Sequence, residues 1–311
     1  MRILSFSEIS WATFPGCDQG SKKGSYILSS DIQPNFTIGG EKMRFAVLLT
    51  PRFKFRIFRN NPEFGDSSLP VRTPSAMPGA TFFYPLRLVR SPYQDLDYIS
   101  LKIFHHSNGQ DGNEFNGNKI NEYNGNFSTN FVELVYHFNK RWKLRIDDPN
   151  FCNSTDPCEN VDMPVGYQDF VGSIGLEQHF GTADSLVSTY GQTRINIKTA
   201  LIKVSNWKLT VRQKKAEPMA VGSCYKKERW RLLLDISTIV DGVDAPMNKI
   251  EKRINVEASF LLRFLGGNTS AYIAAGYYGS DPYNIYYQNN YWFARIGVAL
   301  GNFLFTSKFK D

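Results

Sequence analysis

An all-β chain, closed into an antiparallel barrel whose strands cross a membrane, is what this sequence predicts on three observations. Segment after segment alternates apolar and polar residues at a period of two, the spacing of a β-strand with one greasy face. Helical periodicity of any length is hard to find. The polar sides of the same segments carry full charges of both signs, among them Arg194, Lys198, Arg231, Asp235, Glu257, Arg263 and Arg295. A barrel encloses such charges in a lumen while its apolar sides face lipid.

A soluble sandwich would solvate those charged faces equally well, so the length of the apolar sides decides between the two. They run about five alternate residues, which spans roughly 25 to 30 Å at about 3.3 Å per residue, enough for a tilted crossing. Aromatics such as Trp207, Trp230, Tyr272, Tyr291 and Trp292 stand near strand ends, as they do at a membrane interface.

Composition is compatible with this. The 311 residues are 42% hydrophobic and 14% aromatic, enough for one large domain or two small ones. Mean hydropathy is -0.34, and no window approaches the roughly 20 consecutive apolar residues of a membrane-spanning helix. That excludes a helical membrane protein and leaves a barrel open, because alternating strands average out. The net charge is +7, but the basic residues are spread singly along strands and no recognition motif accompanies them, so no nucleic-acid partner is expected. Cys152 and Cys158 can close a small disulfide or remain free thiols, and with Cys17 and Cys224 they show no zinc spacing.

Residues 1–24 contain no apolar stretch of the kind a secretion leader needs, since Glu8 interrupts what little there is. They are expected to form a poorly ordered segment ahead of a barrel domain at residues 25–305, with 306–311 as a tail. The chain is then either a fragment or mature form lacking its leader, or a protein that is not exported.

In order along the chain, residues 26–30 read as a short strand followed by a loop. Next, Phe45, Val47, Leu49, Phe53, Phe55 and Ile57 share one face, while Arg52, Lys54 and Arg56 place three cations on the other. Residues 60–78, rich in Pro, Ser and Asn, read as a loop, and 80–86 as a strand. Farther on, Ile195 to Leu201, then Trp207, Leu209 and Val211, then Trp230 to Ile236, Val256 to Phe264 and Trp292 to Leu300 repeat the alternation. About 10 to 14 strands are indicated. A barrel that narrow fills with bulky lumen side chains, so a plugged interior is expected rather than an open pore.

Residues 97–136 carry the chemistry. On a strand, Ile99, Leu101, Ile103, His105 and Ser107 share one face, and after a polar Gly/Asn-rich loop Ser128, Asn130, Val132, Leu134 and Tyr136 share another. If the two strands pair as a hairpin, His105, Ser107 and Asn130 gather at its loop end on the apolar side. A base, a nucleophile and an orienting amide are then together. Polar groups on lipid-facing positions cost free energy, so their clustering points to function. Asn121 and Asn124 are alternatives to Asn130. His106 faces the lumen and is the alternative base or a structural donor, whereas His137 and His179 read as structural.

At these residues the chain resembles a known family. His105-His-Ser107-Asn-Gly109, followed by a strand entering at Ser128-Thr-Asn130, is similar to outer-membrane phospholipase A, whose signature is His-x-Ser-Asn-Gly with a later Asn. Leu69-Pro-Val-Arg-Thr, Met77-Pro78, the run from Gly276 to Tyr286, and Ser25-Tyr-Ile-Leu-Ser, similar to the family's first strand, add to it. The likeness covers about residues 25 to 305, with a longer loop between Ser107 and Asn130 than the family has.

The resemblance implies a 12-stranded barrel in the bacterial outer membrane, active as a homodimer on membrane phospholipids with calcium, and with the site on the outer wall. It implies Ser107 as nucleophile, His105 as general base, Asn130 as orienting group and the Gly109 N–H in an oxyanion hole. It places calcium at the carbonyl of Gln110 and at Asn126, where the family has a serine, with Asp111 as a further ligand. The competing expectation is a catalytically silent outer-membrane barrel with a structural or transport role.

Overall fold

The structure, a computed structural model, describes residues 9–14, 17–19, 26–38, 45–58, 71, 74–86, 97–144, 166–207, 225–263, 269–301 and 305–307. Cys152, Cys158, Cys224 and the alternating positions 209 and 211 lie outside the described residues. Twelve strands make up the wall: β1 Ser10–Thr13, β2 Tyr26–Ile32, β3 Ala46–Phe58, β4 Ser75–Pro85, β5 Tyr98–Ser107, β6 Ser128–Leu144, β7 Gly166–Phe180, β8 Thr193–Trp207, β9 Tyr225–Ile239, β10 Ile254–Arg263, β11 Thr269–Tyr278 and β12 Tyr291–Leu300. Each pairs antiparallel with its neighbour in sequence, and β12 returns to β1 with Ser10 opposite Leu300 and Thr13 opposite Gly297. Closure leaves no free sheet edge, the condition a sheet must meet in lipid.

The predicted faces hold. Along β5 Ile99, Leu101 and Ile103 point outward and Tyr98, Ser100 and His106 are buried inside. On β6 Leu134 is 58% exposed while Glu133, Val135 and His137 are buried. Leu176, Leu232, Leu262, Ile273, Ile296 and Trp292 continue the apolar belt on other strands. No helix among the described residues is long and apolar enough to cross a membrane.

Three details differ from the sequence reading. The wall includes Ser10–Thr13, upstream of residue 25, so Tyr26–Ile32 is the second strand and not the first. β4 starts at Ser75 and runs through Pro78, which the sequence reads as loop. Pro78 stands directly opposite Pro51 on β3, and Pro51 falls where β3 changes partner from Ile32 to Phe36, so its missing N–H interrupts no ladder. Tyr272 and Tyr291, read as interfacial, instead point inward: Tyr272 stacks on Trp11 with ring centroids 5.5 Å apart, and Tyr291 is buried.

Charged pairs line the inner wall, within a strand or between neighbouring strands. Asp31 takes both nitrogens of Arg52 at 2.6 and 3.0 Å. Lys102 pairs with Glu133 at 2.7 Å, Asn196 bridges Glu133 and Glu177, and Arg231 grips Glu228 with two bonds of 2.8 Å. Between these groups a continuous cavity of about 410 Å³ remains.

The end of the barrel where β5 finishes and β6 begins is closed by a cap. Helix α1, Asp184–Tyr190, and the loops after β9 and β11 bring Phe127, Leu186, Tyr190, Met247 and Tyr283 with Ile285, Tyr286 and Tyr287 into one apolar cluster. Burial pushes the hydroxyls of Tyr283 and Tyr287 up to about 12, so both stay neutral within this cluster.

Candidate active site

The same strand pair carries the cap on one side and the candidate site on the other. Cross-strand pairing sets His105 opposite Asn130 and Ser107 opposite Ser128. His105 Nδ1 lies 2.9 Å from Asn130 Oδ1. Because an amide oxygen only accepts, Nδ1 carries the proton and donates, which leaves Nε2 with its lone pair. Ser107 is two residues along on the same outward face, about 6.6 Å by strand rise. The described side chains include no hydrogen bond between its hydroxyl and the imidazole, so the structure joins base to orienter and brings the nucleophile only to the same patch. All three side chains are half-buried, and the cavity inside the barrel is not their cleft.

The inner side of the pair is clamped. His106 turns inward and its ring meets Phe127 edge-on at 5.0 Å. Thr129, fully buried, accepts the Thr182 hydroxyl at 2.8 Å. Phe104 stacks on Phe131 with centroids 5.5 Å apart. His106 therefore does not reach the outer face. His137 bonds Ser100 in the lumen and His179 bonds Glu177.

The loop between the strands is an ordered turn system with a two-rung hairpin, Phe115–Asn116 against Lys119–Ile120. Asn121 and Asn124 bond each other inside it, which removes them as partners of His105. Asn108 closes the base of the loop: its Nδ2 donates to Gly125 O at 2.8 Å and its Oδ1 accepts from Phe127 N at 3.1 Å and Gln110 N at 3.2 Å. The N–H groups of Asn108 and Gln110 are thus occupied. That of Gly109, at φ 66°, donates to nothing among the described residues. A left-handed turn that frees one N–H beside a serine suits an oxyanion hole.

Sequence reasoning missed two residues here. Asn108 lay inside the motif without a role, and Gly181 carried no local signal because its neighbour is 51 positions away in sequence. Gly181 has φ 65°, and a Cβ added there would lie 3.1 Å from Asn130 Nδ2. Gly181→Ala is expected to cost about 1 kcal/mol for the left-handed backbone and to displace the Asn130 amide. Nitrogen NMR of the imidazole should then show the second tautomer of His105, which the wild type lacks.

Calcium donors were expected at Gln110, Asp111 and Asn126. Gly112 N bonds Asn124 O at 3.0 Å and Asn126 N bonds Gly112 O at 2.8 Å, which ties positions 111 and 126 into one turn. Their donors are all oxygens, the set a hard cation takes. No cluster of three or more His, Cys, Asp or Glu occurs among the described residues, so fewer than three such side chains converge on this turn and affinity there needs neutral oxygens as well. No protein-family model, curated protein or solved structure matches the chain.

Proposed function

We propose that the protein is a calcium-dependent phospholipase A of the bacterial outer membrane, hydrolysing acyl esters with Ser107, His105 and Asn130 on the lipid-facing wall. One observation carries the reading: an imidazole held by an amide at 2.9 Å on the outer wall that it shares with the exposed Leu101, Ile103 and Leu134. A comparable imidazole–hydroxyl pair, His137 with Ser100, lies inside the lumen. Placing this one outward exposes it to lipid and incurs a desolvation cost that a merely structural pair avoids.

In the proposed reaction Asn130 Oδ1 holds His105 with Nε2 as acceptor, Nε2 takes the Ser107 proton, and Ser107 Oγ attacks the acyl carbonyl. Gly109 N–H donates to the developing oxyanion. His105 returns the proton to the leaving lysolipid alkoxide and then activates water to release the fatty acid. Calcium held by Gln110, Asp111 and Asn126 supplies Lewis-acid polarisation of the ester carbonyl. Members of the resembled family act as homodimers, and the same is proposed for this chain.

The test is labelling with a long-chain sulfonyl fluoride in detergent, with calcium or with a chelator, followed by mapping of the adduct. Modification at Ser107 that depends on calcium supports the proposal. Modification elsewhere, or none under either condition, ends it.

A further inference from the structure

We propose that the barrel interior is a hydrated path for water and small ions, closed at the site end by residues 280–287 lying across the mouth as a plug. This stands apart from the hydrolase reading, since it concerns the inside of the wall.

The cavity reaches from Tyr283 and Asn284 under the plug to Gln33 and Asn35 past the far end of β2, so it follows the barrel axis. Its lining carries both signs, with Asp31, Lys54, Lys102, Glu133, Arg194 and Lys198. His106 borders it and its buried Nε2 has no hydrogen-bond partner. Buried polar atoms are satisfied by ordered water when the space is polar and roomy enough, and this space is both.

The plug leaves from β11, returns into β12 and is fastened to two other arcs of the ring. On the β2 to β4 arc, Asp281 pairs with Arg56 at 2.7 Å, Tyr283 OH meets Ser29 Oγ at 3.0 Å, and Asn284 Nδ2 donates to Ser75 Oγ at 2.9 Å. The Arg56 guanidinium also lies 4.0 Å from the Tyr283 ring centroid. Beyond β7, Tyr287 OH meets Thr189 Oγ1 at 2.5 Å and its ring meets Tyr190 edge-on. Asn284 adopts φ 29°, a conformation side chains rarely take. The segment is held in that shape by three polar anchors on one arc together with the apolar packing of Ile285, Tyr286 and Tyr287 in the cap, so a variant that releases it removes all three anchors.

The experiment is ion current across planar lipid bilayers containing the full chain. The triple variant Asp281→Asn, Tyr283→Ala, Asn284→Ala is expected to pass at least tenfold more current than wild type at equal protein density. It should discriminate weakly between cation and anion, given the mixed lining. Adding Ser237→Trp, at a cavity-lining position, should reduce that current by more than half. Folding is checked by heat-shifted gel mobility; if the triple variant fails it, Asp281→Asn alone, nearly isosteric, decides with more frequent openings than wild type. A folded released variant as silent as wild type overturns the proposal. So does a wild type that already conducts equally, or a current that Ser237→Trp leaves unchanged.

Discussion

Ser107→Ala should abolish calcium-dependent ester hydrolysis, with a loss in kcat of about 10^5- to 10^6-fold, the size seen when a triad nucleophile is removed. KM should change little, because the hydroxyl takes part in bond making and not in holding the acyl chain. Ser107 is half-buried on the outer face and its hydroxyl makes no hydrogen bond among the described residues, so stability should stay within about 0.5 kcal/mol. Fatty-acid release from mixed micelles, followed by titration with and without calcium, measures the effect. A folded variant that keeps more than about a hundredth of the wild-type rate overturns Ser107 as nucleophile.

The second large effect lies inside the wall. Arg231 and Glu228 are both buried and joined by two bonds of 2.8 Å. Arg231→Met leaves the Glu228 carboxylate without its main counter-charge, and breaking such a pair from one side costs about 3–5 kcal/mol. The double variant Arg231→Met, Glu228→Gln removes the charge as well and should recover most of that loss, since desolvation then no longer opposes folding. Urea unfolding in detergent micelles, read by tryptophan fluorescence, gives both values. A single variant as stable as wild type shows that the pair contributes nothing net.

How much of this was legible in the sequence follows from what each feature depends on. Faces of strands were legible because alternation is local: Ile103 out and Phe104 in follow from neighbours. The site was legible for the same reason, since His105, Ser107 and Asn130 each take their side of the sheet from their own strand. Strand bounds were less so at prolines. Pro78 reads as loop, whereas Pro51 passes within an alternating run, and only their cross-strand pairing shows where the two stand in the ladder. Ser10–Thr13 was missed because four residues are too few for a period. The cap was invisible because Phe127, Leu186, Met247 and Tyr287 come from four separate connections whose meeting no local pattern encodes. Gly181 was missed on the same ground.

The pairing of β5 with β6 has a consequence for descent. His105 and Asn130 face each other on one rung, so the number of residues strung between them does not set the geometry of the pair. Evolution is free to lengthen or trim that excursion while leaving the imidazole and the amide undisturbed. A motif search built on a fixed gap will overlook descendants that kept this pair and changed only the tether.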